Sequence, residues 1–171
     1  GRSAVPGLPG LQRPFDWVGT PFGSLSNGRD GGIVASAFGG PALGQLVAGG
    51  GSEVVLPAIG LRQALDQLLP GDQRGETQLM GWDGATSGPL PGFPHVTRDL
   101  AFFVTPAIVD VDGDGSPEVV AGHGVALLDG VDVNGKVAGG FPKLTGGWMV
   151  GTPGFGDLDG DGLAEMAISR R

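Results

Sequence analysis

The chain has no cysteine and no tyrosine among its 171 residues, and only two histidines, His95 and His123. Without thiols there is neither a disulfide framework nor a thiolate metal site. Without tyrosine there is no tyrosine-rich ligand surface. Basic residues are few: ten Lys and Arg stand against eighteen Asp and Glu, for a formal charge of -8. That balance argues against nucleic acid or an anionic membrane surface as a partner. No apolar run approaches the roughly 20 residues of a membrane-crossing helix, so no membrane insertion is expected. No signal peptide is visible and Gly1 is not an initiator methionine. The chain therefore reads as a processed product or a piece of something longer.

The parts of common catalytic sites are also missing. No Gly-x-Ser-x-Gly elbow occurs, and neither histidine sits in a triad context. Gly49-Gly50-Gly51 lacks the lysine of a phosphate loop. No enzyme activity is expected.

What the chain has in abundance is glycine. Glycine (36) and proline (14) make 50 of 171 residues, a level at which disorder is usually suspected. Disorder does not fit here, because the glycines recur at fixed places between short β-branched, apolar segments. The clearest recurrence is Asp110-Val111-Asp112-Gly113-Asp114-Gly115-Ser116-Pro117-Glu118, repeated as Asp157-Leu158-Asp159-Gly160-Asp161-Gly162-Leu163-Ala164-Glu165. Each copy places carboxylates at loop positions 1, 3, 5 and 9. Two unit charges about 4 Å apart interact by roughly 4 kcal/mol at an effective dielectric near 20, so four converging carboxylates need a counter-ion. A hard divalent cation supplies it, and all-oxygen ligation rich in carboxylates favours calcium over magnesium. A solvated Asp-Gly turn explains one such loop as well as a cation does; two copies with identical spacing favour calcium. The acidic spacing also explains the paired carboxylates better than a glycosidase dyad would.

The loops belong to longer units. Thr105-Pro106-Ala107-Ile108-Val109-Asp110 opens one, Gly151-Thr152-Pro153-Gly154-Phe155-Gly156-Asp157 another, and Gly40-Pro41-Ala42-Leu43-Gly44-Gln45 a third. In the third, Gln45, Val47 and Gly49 replace the aspartates and only Glu53 survives. That loop should keep the hairpin shape without holding calcium. A fourth, weaker opening lies at residues 19–28. The complete unit continues with strands at 118–122 and 125–129, then a turn at Asn134-Gly135 and an extended segment at 137–142. Gly-Phe-Pro recurs at 92–94 and 140–142. The reading is an all-β chain of four-stranded antiparallel units: 1–39 (partial), 40–102, 103–149 (complete) and 150–171 (half). One stretch, 61–69, has leucines at helical spacing and predicts a short helical insert.

The stretch Thr105 to Val120 resembles the FG-GAP, or VCBS-type, repeats that build integrin α-subunit propellers and many secreted bacterial proteins. The resemblance is specific over 104–142 and 150–169. It implies that each unit is a propeller blade in a partial or open ring, with the acidic loop binding calcium. Asp110, Asp112, Asp114 and Glu118, with the Ser116 carbonyl, would ligate one ion. Asp157, Asp159, Asp161 and Glu165, with the Leu163 carbonyl, would ligate another.

The function expected is a calcium-stabilised extracellular structural or adhesive module. Its half-units invite either neighbouring blades of a longer chain or head-to-tail self-association into a filament. The alternative is a glycan-binding module, or the ancillary propeller of a secreted polysaccharide-active enzyme, with Trp17, Trp82 and Trp148 offering stacking surfaces. Repeat-equivalent placement of those tryptophans would favour packing between blades instead.

Overall fold

The computed structural model describes residues 34–36, 39–60, 77–86, 88–97, 104–123 and 126–171. Among these, every regular element is a strand: β1 Val34–Ser36, β2 Ala42–Gly44, β3 Glu53–Gly60, β4 Thr77–Trp82, β5 His95–Thr97, β6 Ala107–Val109, β7 Glu118–Gly122, β8 Leu127–Val131, β9 Lys143–Leu144, β10 Gly154–Gly156 and β11 Glu165–Ala167. The leucine-spaced stretch 61–69 and the weak opening at 19–28 lie outside the described residues.

The strands form three antiparallel sheets, called A, B and D here. Sheet B is a plain meander, β6-β7-β8-β9. Sheet A repeats it as β2-β3-β4-β5, and β1 adds a fifth strand. The eight residues of β3 give room for this: β2 pairs with Glu53–Val55 and β1 with Ala58–Gly60. Sheet D is the pair β10-β11. The described sheets are thus all antiparallel and open.

The loop that joins the first two strands has the same frame in each sheet. Gly44 pairs with Glu53, Val109 with Glu118 and Gly156 with Glu165. Counting from that glutamate gives the sheets a common register. Val119 then corresponds to Val54 and Met166, and Val131 to Trp82.

Alternation along the strands sends successive side chains to opposite faces, and both faces of sheet B are covered. Toward sheet A, Val119, Ala121 and Val131 pack with Val55, Leu79, Leu90 and Phe93. Toward sheet D, Val120 and Leu128 pack with Phe155 and Met166. This two-sided burial explains why β7 has no exposed position and why its sequence is uniformly apolar or small after Glu118. Two glycines are dictated by the packing. A Cβ on Gly81 would meet the Phe93 ring, and one on Gly130 would meet the Phe141 ring. The repeated Gly-Phe-Pro thus lays its phenylalanine over a glycine of the third strand.

The fourth strand differs from the expected segment at 137–142. Only Val137 bridges back, to Val131, and the strand itself is Lys143–Leu144. The Asp132 carboxylate accepts the amides of Asn134 and Lys136, so the chain turns at once after β8. A second turn follows, with Phe141 N–H donating to the Ala138 carbonyl and Gly140 at positive φ. Two consecutive turns leave no length for a strand before Lys143. The third strand is also displaced, to 127–131. Trp17 lies outside the described residues, and the other two tryptophans are not equivalent. Trp82 ends a third strand and is buried, whereas Trp148 follows a fourth strand and is 45% exposed.

At the A–B contact, His95 shares a face with its partner Leu79 and looks toward sheet B. There His123 Nε2 lies 2.8 Å from Asp129 Oδ2, both buried. Burial lowers the His95 pKa below its ordinary 6.5; the Asp129 charge opposes this and His123 adds to it. A histidine with a depressed folded-state pKa takes up a proton more readily when unfolded, so stability falls as pH drops through about 6.5. Thermal melts between pH 7.5 and 5.5 should show that loss, and His95→Gln should flatten it. An unchanged slope in the variant would remove His95 as its source.

Candidate metal centre

Each acidic loop is folded by its own carboxylates. In the first, Asp110 Oδ1 accepts the amide of Gly113 at 2.8 Å and Oδ2 that of Gly115 at 2.9 Å. Asp112 accepts from Asp114, Asp114 from Ser116, and Glu118 Oε2 from Val111. The second loop repeats all five bonds at the equivalent positions, from Gly160, Gly162, Asp161, Leu163 and Leu158. Wrapping amides around one carboxylate requires positive φ at positions 4 and 6. Gly113 (75°), Gly115 (88°), Gly160 (85°) and Gly162 (89°) supply it. Sequence and geometry agree here because the Asp-Gly-Asp-Gly run encodes both the turn and its caps.

This folding gathers Asp110, Asp112 and Glu118, with one carboxylate oxygen from each lying within 4.8 Å of the others. Asp157, Asp159 and Glu165 form the same group. Oxygens bound to calcium at 2.3–2.6 Å lie at most about 5 Å apart, so both groups have the span and the hard donors that calcium takes. Each carboxylate keeps lone pairs beyond those given to amides.

Asp114 and Asp161 are not in these groups; their Oδ1 atoms hold the amides of Ser116 and Leu163 at 2.8 Å. The Ser116 and Leu163 N–H groups are the donors in these two bonds. Asp114 still borders a pocket of about 310 Å³, shared with Asp112, Glu118, Asp132 and Lys136. Across it the Gly139 amide donates to Asp112 Oδ2 at 3.3 Å. Nothing in the local sequence announces that contact, since it joins residues 27 apart.

The Glu118 pKa is raised, first by burial and then by Asp112, Asp110 and Asp114, against the lowering hydrogen bond from Val111. Glu118 is 2% exposed. Glu165, its counterpart, is only half-buried.

The third loop keeps the glutamate and loses the group. Glu53 Oε2 accepts the amides of Leu46 and Val47. The aspartate positions are Gln45, Val47 and Gly49, and Gly49 takes the positive φ within an ordinary turn closed from Gly50 to Val47.

A scan against protein-family models and searches of curated proteins and of solved structures each found no match. The geometry therefore carries the functional reading.

Proposed function

We propose that this chain is a calcium-binding module of FG-GAP or VCBS type, serving an extracellular structural or adhesive role without catalytic chemistry. One observation supports it most: two loops, 47 positions apart, with the same five hydrogen bonds and the same three converging carboxylates. The ions would join the loops to the sheets that carry them. An extracellular setting supplies millimolar calcium, which takes the stapling role that disulfides have in other secreted domains. The two-stranded sheet D favours association with neighbouring units, either in a longer chain or head to tail between copies.

Calorimetric titration with calcium chloride should give two ions per chain. Asp110→Asn or Asp157→Asn should each remove one. No binding heat at millimolar calcium would overturn the reading. Head-to-tail association falls separately if light scattering finds only monomers.

A second reading, glycan binding, draws on the exposure of Trp148 (45%). A glycan array without hits would end it.

A further inference from the structure

Glu53 closes the third loop at the place that Glu118 and Glu165 hold in the acidic loops. It is fully buried, and its Oε2 accepts the amides of Leu46 and Val47. Its other oxygen, Oε1, is buried as well and has no hydrogen-bond partner among the described residues. A buried carboxylate oxygen without a partner is costly, more so than one ordinary hydrogen bond is favourable.

The space beside Oε1 lies over Gly50. A Cβ built on Gly50 would stand 3.4 Å from Glu53 Oε1 and 3.6 Å from the Val47 carbonyl oxygen, and chain neighbours apart no other atom comes within 4 Å of it. Two hard oxygen donors therefore border one small space. The Val47 carbonyl accepts the Gly50 amide only at 3.4 Å and keeps a second lone pair. Charge decides which cation suits these donors. Three carboxylates converge in each acidic loop. Here Gln45, Val47 and Gly49 stand at the aspartate positions, so Glu53 brings a single negative charge. A divalent ion would leave a net positive charge beside a buried group, whereas a monovalent ion balances it. Oε1 is out of reach of a water-sized sphere. The ion must therefore arrive bare, with these oxygens replacing its hydration shell as carbonyls do in ion filters.

We propose that the third loop binds a bare monovalent cation, sodium, between Glu53 Oε1 and the Val47 carbonyl over Gly50. The site shares no residue with the two acidic loops, so a failed calcium titration leaves it standing.

The test is thermal melting of the intact chain with excess EGTA, in sodium chloride and in choline chloride at equal ionic strength. Choline is too large to enter the space. Sodium at ten times its dissociation constant should raise the midpoint by about 3–6 °C over choline. Gly50→Ala fills the space with a methyl at ordinary contact distance, and Gly50 has no positive φ to forbid alanine. Its midpoint in choline should stay within about 4 °C of the parent, which shows that it folds, while the sodium increment disappears. Glu53→Gln removes the charge and should also abolish the increment. No sodium increment in the parent would overturn the proposal. So would an increment that persists in either variant, because it would then belong to the acidic loops.

Discussion

Removal of calcium with EDTA should lower the melting temperature by roughly 10–20 °C. A ligand at 100 times its dissociation constant stabilises the folded state by about 2.7 kcal/mol per site, and two sites give about 5 kcal/mol. For a chain of this size each kcal/mol moves the midpoint by about 2–4 °C. The physical source is the carboxylate group itself. Asp110, Asp112 and Glu118 lie within 4.8 Å of one another, and Glu118 is nearly inaccessible to water. Solvent screens the exposed Asp112 and the half-buried Asp110, but the buried Glu118 is best neutralised by a cation. Hydrogen exchange should show amides 113–116 and 160–163 protected with calcium and open without it, because the carboxylates that accept these protons also carry the repulsion. Calorimetry and exchange together test the idea; an unchanged melt with EDTA would count against it. In the cation-free chain, protonation of Glu118 alone should act in the opposite sense, against the loss that His95 causes. Glu118 has a raised pKa, so its protonated form favours the fold, and that contribution is lost as pH rises through the folded-state value.

Gly92→Ala should destabilise by about 3 kcal/mol or more, or roughly 6–12 °C. Gly92 lies in the turn before β5, and its amide donates to the Val133 carbonyl at 2.9 Å across the A–B contact. A Cβ there would fall on the backbone of Asn134 and Gly135. Backbone cannot step aside as a flexible side chain does, so the two sheets must separate locally. That separation opens the core of Leu90, Phe93 and Val131 just beneath. Gly156→Ala is the matched control. It sits in β10 with nothing within 4 Å of the added methyl, and surface changes of this kind stay within about 0.5 kcal/mol. Thermal melts of both variants decide the point. Equal, small shifts would mean that the A–B contact is not held at this turn.

Much of the candidate site was legible in the chain because its information is local. Each loop spans nine residues, and its aspartates, amides and glycines are neighbours in sequence. The same locality marked the degenerate loop at Glu53, where the missing aspartates leave no group to gather. Legibility failed where the answer depends on separated residues. The fourth strand was expected at 137–142, yet Asp132 caps two amides and forces a second turn first. Apolar residues in that stretch carry no mark of which one pairs. Trp82 and Trp148 look alike as residue types and occupy different places relative to the sheets. The acids that gather within 4.8 Å are those at positions 1, 3 and 9, whereas Asp114 and Asp161 at position 5 hold the amide of position 7.

By itself the sequence determined the strand-rich class, the repeat and the two acidic hairpins, because period, glycine placement and charge spacing are properties of adjacent residues. Only the tertiary structure decided which residues face the neighbouring sheet and that His123 and Asp129 pair where their charges act on His95. The physical reason is that sheet-to-sheet packing is set by registers between distant strands, and a shift of one residue would turn every side chain to the other face.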